Sequence, residues 1–117
     1  MKHFLIVFDR KTGERQITEY TDARDAILQR LAEDPDFRSK RWSPELTRSY
    51  RRKIQILQTA HDERDLRRMK SLHLEQLRGD RLGTSSIRLN KQYRLVIRFE
   101  TSEDGRIAVV IEMVDYH

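Results

Sequence analysis

The sequence contains no cysteine and only two prolines, four glycines and one tryptophan among its 117 residues. Without cysteine the chain has no disulfide framework, no thiolate nucleophile and no cysteine-based zinc site. It also lacks a run of about eighteen apolar residues, which excludes a transmembrane helix. The apolar stretch Phe4–Phe8 is too short for a secretory signal. These absences predict a soluble cytoplasmic protein that makes no use of a membrane.

Several sequence motifs of common enzymes are also missing. No HExxH, GKS/T or GxSxG pattern occurs, which argues against a metalloprotease, a P-loop protein and a serine hydrolase. His3, His61 and His73 do not have the spacing of metal ligands, and we interpret them as surface or partly packed residues. We therefore predict no metal and no cofactor.

Charge is what the sequence has in abundance: 37% of its residues are charged, as many as are hydrophobic, and the net charge is +5. The length predicts a single domain, residues 1–117, with a small core. Residues 1–37 carry a net charge of −2 and residues 38–117 a net charge of +7, with 14 arginines among the cations of the second part. Such a basic part fits a nucleic-acid partner, but a solvated surface explains it equally well.

The order of predicted elements indicates an α+β fold. A strand at His3–Phe8, a turn at 9–13 and a return strand at Arg15–Tyr20 come first. Two helices follow, one with Thr21 as N-cap and one with Ser43 as N-cap and Pro44 at its first position. Asp62 is predicted to cap a shorter helical segment. Period-two patterns that begin at Leu72 and Leu74 then predict an antiparallel β meander with helices packed on one face.

One predicted hairpin places like charges opposite each other. If Asn90, Lys91 and Gln92 form a three-residue loop, Arg88 lies directly opposite Arg94, and Arg98 lies further along the same side. Like charges in such positions destabilise a strand pair. Either acids such as Glu100 and Glu112 neutralise the arginines, or a bound phosphodiester supplies the anion.

The last three residues, Asp115, Tyr116 and His117, follow a strand that is apolar on both faces. A terminal histidine is usually frayed, but this strand would hold it in place. Imidazole titrates near neutral pH, so His117 and Tyr116 are candidates for proton transfer.

Three segments together resemble the HigB toxins of the RelE superfamily. They are Leu74–Gly83 (LEQLRGDRLG), Ser86–Arg94 (SIRLNKQYR) and Val114–His117 (VDYH). The resemblance covers roughly residues 38–117 and implies a RelE-like fold, to which residues 1–37 add an N-terminal hairpin and helix. Each segment is a weak signal alone, but their order and spacing together are specific.

The resemblance implies a metal-independent, ribosome-dependent mRNA endonuclease, the toxin of a type II toxin–antitoxin system. In such enzymes the 2′-hydroxyl attacks the adjacent phosphate. The implied partners are a HigA-like helix-turn-helix antitoxin, in a hetero-oligomer with the toxin, and the ribosome with its mRNA. The implied catalytic residues are the phosphate-stabilising Arg78 and Arg94 and the acid or base His117, with Tyr116 and Asp115. Further phosphate contacts are expected from Arg81, Arg88, Arg98 and Lys91.

The sequence also departs from the family pattern. Glu75 stands where some members have histidine, and Ser85 stands where many have an aromatic residue. A toxin-like module that binds RNA, the ribosome or a protein without cleavage is therefore the alternative hypothesis. A basic α+β domain with no role in nucleic-acid binding is the third.

Overall fold

The computed structural model of the chain describes residues 4–8, 15–19, 25–102 and 105–115. The turn predicted at 9–13, the predicted N-cap Thr21, and the terminal Tyr116 and His117 lie outside the described residues. Among the helices that are described, none is long and apolar enough to cross a bilayer.

A single antiparallel sheet organises these residues. In chain order its strands are β1 (Phe4–Phe8), β2 (Arg15–Glu19), β3 (Glu75–Gln76), β4 (Ser85–Arg88), β5 (Tyr93–Ser102) and β6 (Gly105–Asp115). In space they lie in the order β2-β1-β6-β5-β4-β3. The predicted N-terminal hairpin and C-terminal meander are both present, and β1 joins them by pairing with β6.

In the described part of the chain between β2 and β3 there are three α-helices: α1 (Asp25–Glu33), α2 (Pro44–Thr59) and α3 (Glu63–Arg68). At the start of α2, Ser43 Oγ accepts a hydrogen bond from the Leu46 N–H at 3.1 Å, and Pro44 stands where no donor is needed. Asp62 caps α3 by accepting from the Arg64 N–H at 2.9 Å. The predicted α+β class and both of these caps are confirmed.

The main core lies between the helices and one face of the sheet. The apolar residues of α2 that face this core, Leu46, Tyr50, Ile54 and Leu57, are buried. The hydroxyl of Tyr50 donates to the Leu28 carbonyl at 2.8 Å, which ties α2 to α1. Further buried members of this cluster come from the sheet: Ile87, Leu95, Ile97, Ala108 and Val110. The site described below is therefore built on strands whose other face is fixed by close packing.

The opposite face of the sheet carries a smaller apolar cluster of Val96, Ile107, Val109 and Ile111. A β-bulge lies within it, because Val96 pairs with Glu112 whereas Ile97 pairs with Val110. Ile111 is thus the extra residue of β6. Arg94, two positions from Val96 on the same strand, shares this face.

The prediction that a strand begins at Leu72 and Leu74 is wrong. Residues Lys70–Leu72 form a 3₁₀ turn instead, and β3 is limited to Glu75–Gln76. Leu72 is fully buried in the main core, so the turn serves to direct its side chain inward. Two leucines at a spacing of two residues do not distinguish a short strand from such a turn.

Candidate functional site

The predicted hairpin register is confirmed. β4 and β5 pair so that Ile87 lies opposite Leu95 and Arg88 lies opposite Arg94. The Leu89 N–H donates to the Tyr93 carbonyl at 3.0 Å, which closes a three-residue loop. Within that loop Asn90 Oδ1 accepts from the Gln92 N–H at 2.8 Å and from the Tyr93 N–H at 2.7 Å. The asparagine side chain therefore shapes the loop that joins the strands of the two arginines.

A cavity of about 260 Å³ opens beside this loop. We call it the cation pocket, and its lining residues are His73, Arg88, Asn90, Lys91 and Arg94. Two guanidinium groups and one ammonium group line it, and no acidic residue is among the described residues of its lining. Convergent cations without a carboxylate are typical of a site for a phosphate or another anion.

Arg94 is the fixed member of the cation pocket, since only 7% of its surface is exposed. Its Nε donates to Ser86 Oγ at 2.7 Å, and its Nη2 donates to the carbonyls of Ser86 and His73. A buried guanidinium requires such partners, because an unsatisfied charged donor is costly in a low-dielectric interior. These contacts hold the charge in one orientation next to the pocket.

Arg88 is held much less tightly. It is half-buried, and its Nε donates to the Asn90 carbonyl at 3.3 Å, near the long limit for a hydrogen bond. Among the described residues it makes no ion pair. Its charge therefore remains available to a ligand that enters the cation pocket.

The end of β6 lies against the same loop. Asp115 is opposite Tyr93, and its Oδ2 accepts a hydrogen bond from Gln92 Nε2 at 2.9 Å. The strand that leads to Tyr116 and His117 therefore reaches the loop that carries Lys91. The two terminal residues themselves lie beyond the part of the chain that the structure describes.

Of the acids that were expected to neutralise the arginines, Glu100 does so for Arg98, whereas Glu112 has another partner. Arg98 pairs with Glu100 at 2.6 Å, and Glu112 pairs with Arg81 at 2.6 Å. All four side chains are partly exposed, and such pairs contribute little to stability. Glu100 and Glu112 are thus occupied by cations other than Arg88.

Arg78 is exposed in the loop between β3 and β4 and is not among the residues that line the cation pocket. The Leu77 N–H donates to the Thr84 carbonyl at 2.9 Å and closes this loop. The next residue, Gly79, has φ of +65°, a conformation that favours glycine. The Arg-Gly pair therefore displays the arginine at the start of a tight turn.

His73 is the residue that the sequence reasoning did not assign to the site. It is exposed, as expected for a surface histidine, but it also lines the cation pocket and its carbonyl holds Arg94. Its φ of +47° is left-handed, and among the described residues no other non-glycine residue has a positive φ. No periodicity signals this position, because the 3₁₀ turn before it brings the residue there.

Comparison with known proteins assigns the chain to a family. The family model of the HigB-like toxins, described as RelE-like toxins of the type II toxin–antitoxin system HigB, matches residues 21–117. The match therefore includes α1, which lies before the segment on which the resemblance rested. Toxin HigB-1 of Vibrio cholerae serotype O1 (strain ATCC 39315 / El Tor Inaba N16961) is 37% identical over 76 residues, which span 65% of this chain and 79% of that toxin. The chain belongs to the HigB-like family of RelE-like toxins of type II toxin–antitoxin systems.

Proposed function

We propose that this toxin is an endoribonuclease that cleaves mRNA on the ribosome, by attack of a 2′-hydroxyl on the adjacent phosphate. The observation that carries this proposal is the cation pocket, in which Arg88 lies opposite the buried Arg94 and none of the lining residues that the structure describes is acidic. The pocket offers several N–H donors to an anion of the size of a phosphate group.

The reaction passes through a pentacoordinate phosphorus with additional negative charge. Donors that are already in place stabilise such a state without reorganisation, and this is the role we assign to Arg94. Arg88 supplies a second charge from the opposite strand, and Lys91 contacts a neighbouring phosphate. An arginine keeps its proton at ordinary pH, so the proton transfers require other groups.

The imidazole of His73 lines the cation pocket, and we assign it to proton transfer. His117, with Tyr116 and Asp115, remains the second candidate, as the family resemblance implies. The contact between Asp115 and Gln92 supports it, because β6 ends beside the loop of the pocket. One imidazole would accept the 2′-hydroxyl proton and the other would protonate the 5′-oxygen that leaves.

The remaining cations are assigned to longer-range contacts with the RNA. Arg78 would reach the substrate from the exposed loop between β3 and β4. Arg81 and Arg98 would contribute less, because Glu112 and Glu100 already balance their charges. We propose a HigA-like helix-turn-helix protein as the antitoxin partner that membership of a toxin–antitoxin system implies.

The test is to add the purified protein to ribosomes that translate a defined mRNA and to map the new RNA ends. We expect new 5′-hydroxyl ends within the coding region, each facing a 2′,3′-cyclic phosphate. Arg88→Gln should remove these ends, and the exposed Arg67→Gln is the control of equal charge change. If the protein sediments with ribosomes and no new end appears, it is a binding module without nuclease activity.

A further inference from the structure

A second basic surface lies apart from the cation pocket. The chain between α1 and α2, together with the first two turns of α2, forms a groove of about 770 Å³ that we call the loop groove. None of the described residues that line it is acidic. Its cationic members are Arg38, Lys40, Arg41, Arg48 and Arg51.

Arg51 fixes the wall of the loop groove. Its Nε donates to the Leu31 carbonyl at 2.8 Å, and its Nη2 donates to the carbonyls of Asp34 and Phe37 at 3.0 and 2.8 Å. Arg30 adds a contact at 4.2 Å to the ring centroid of Phe37. A single guanidinium thus ties the end of α1 and the following loop to α2, so the groove is a built surface with a defined backbone.

The four other cations of the loop groove extend from the backbone that Arg51 holds in place. Arg38, Lys40, Arg41 and Arg48 are exposed, and none of them makes an ion pair with a described residue. Closely spaced cations without counterions repel one another, and a polyanion that tracks along them removes this cost.

An aromatic platform stands beside these cations. The Arg41 guanidinium lies 5.0 Å from the ring centroid of Trp42, and Tyr93 meets the same indole edge-on at 5.5 Å. Aromatic rings and guanidinium planes are surfaces on which unpaired bases stack. The presence of aromatic rings beside the cations favours RNA over an acidic peptide, because an acidic peptide carries negative charge but has no bases that could stack.

The platform is adjacent in the chain to the loop of the cation pocket. Tyr93 is the first residue of β5 and directly follows the loop that carries Asn90 and Lys91. We propose that the loop groove binds a single-stranded RNA segment, with Arg38, Lys40 and Arg48 on its phosphates and the Arg41–Trp42 stack against one base. This strand binding requires no bond cleavage, so it stands or falls separately from the nuclease activity.

The experiment measures binding of a fluorescent 2′-O-methyl oligouridine of twelve nucleotides, which cannot undergo 2′-hydroxyl attack. The groove variant combines Arg38→Gln, Lys40→Gln and Arg48→Gln. The control variant combines Arg67→Gln, Arg68→Gln and Lys70→Gln, which removes the same charges from exposed positions elsewhere. We expect the groove variant to bind at least tenfold more weakly and to lower the slope of log K against log salt by about 2.

Equal loss in both variants would mean that only net charge matters and would overturn the proposal, as would unchanged binding by the groove variant. Tighter binding of an oligoglutamate than of the RNA would overturn it as well. Arg41→Gln tests the stack and should weaken binding to RNA more than binding to polyphosphate. Equal weakening of both would show that no base stacks on Arg41 and Trp42 and would overturn that part of the proposal.

Crosslinking from the groove to ribosomes with and without mRNA then identifies the strand. Crosslinks without mRNA indicate ribosomal RNA, and crosslinks that require mRNA indicate the message. The absence of both would contradict the proposal.

Discussion

Arg88 lies directly opposite Arg94 across the β4–β5 pair, and the two differ sharply in how they are held. Arg94 is buried and donates to Ser86 and His73, whereas Arg88, within the described part of the chain, has a single long hydrogen bond to a carbonyl of its own loop. One arginine thus provides a fixed charge and the other an adaptable one. Repulsion between them weakens the fold slightly and favours the binding of an anion.

Replacing Arg88 by Gln should therefore change stability and activity in opposite directions. Loss of the like-charge contact is expected to raise the free energy of unfolding by about 0.5 kcal/mol. Loss of a donor to the phosphate should lower the cleavage rate about 100-fold. Urea unfolding and single-turnover cleavage on ribosomes measure the two effects. A variant that loses stability together with activity would show that Arg88 has a structural role.

The Ser86→Ala substitution should destabilise the protein through Arg94. The Ser86 side chain is fully buried and accepts the Arg94 Nε–H, so its removal leaves a buried charged donor without this partner. We expect a loss of about 1–3 kcal/mol in the free energy of unfolding. Ser85→Ala is the matched control, because this neighbouring serine is also buried but points to the other face of the sheet. Equal effects of the two substitutions would contradict the assigned role of Ser86.

His73→Asn separates the backbone role of His73 from its imidazole. Asparagine tolerates the left-handed conformation, so the carbonyl that holds Arg94 should stay in place. If the imidazole transfers a proton, the variant should lose one limb of the pH–rate profile while its unfolding midpoint stays within a few degrees. An unchanged profile would leave proton transfer to the terminal residues.

Arg51→Met should loosen the loop between the first two helices. The substitution keeps an apolar stem but removes the donors to three carbonyls, and we expect a loss of about 2–4 kcal/mol in the free energy of unfolding. Arg52→Met changes the exposed neighbour and should have an effect below about 0.5 kcal/mol. Hydrogen exchange of the amides at 34–42 should accelerate only in the first variant.

Asp62 gives stability a defined pH dependence. Hydrogen bonding from the Arg64 side chain holds the pKa of the Asp62 carboxyl below its usual range. Because the folded pKa is depressed, this stabilisation is complete above the unfolded pKa of about 4 and is lost as pH falls through the folded value. Asp62→Asn keeps a capping oxygen but no titratable group. Its stability should therefore fall less between pH 5 and 2 than that of the wild type, as acid unfolding curves would show.

Sequence patterns correctly predicted those features of the fold that depend on interactions between residues close together in the chain. Ser43 and Asp62 cap helices because their side chains reach backbone N–H groups two or three residues away, and the loop at Asn90 follows from the same short-range bonding. The position of Arg88 opposite Arg94 came from loop length and alternation alone. Each of these features depends on only a few neighbouring residues.

Features that depend on distant contacts were not accessible in this way. The pairing of β1 with β6 joins Phe4 to Val110, and no periodicity in either segment specifies the partner. The turn at Leu72 depends on a core that the whole chain builds, and it brings His73 to Arg94 across 21 positions. The burial of Arg94 could not be predicted from the alternation in its strand either. Alternation shows which face of the sheet a side chain is on, but not whether other residues cover that face.

The pairing of β1 with β6 also determines where the sheet can grow. The family match begins at residue 21, so β1 and β2 lie outside it, and β6 would be a border strand in a chain that lacked them. Here the backbone groups of β6 from Arg106 to Val110 are occupied by β1, and β2 becomes the outer strand. On this side of the sheet, a partner that adds a strand of its own beside this part of β6 must therefore do so on β2, two strands further out than in a chain without the N-terminal hairpin.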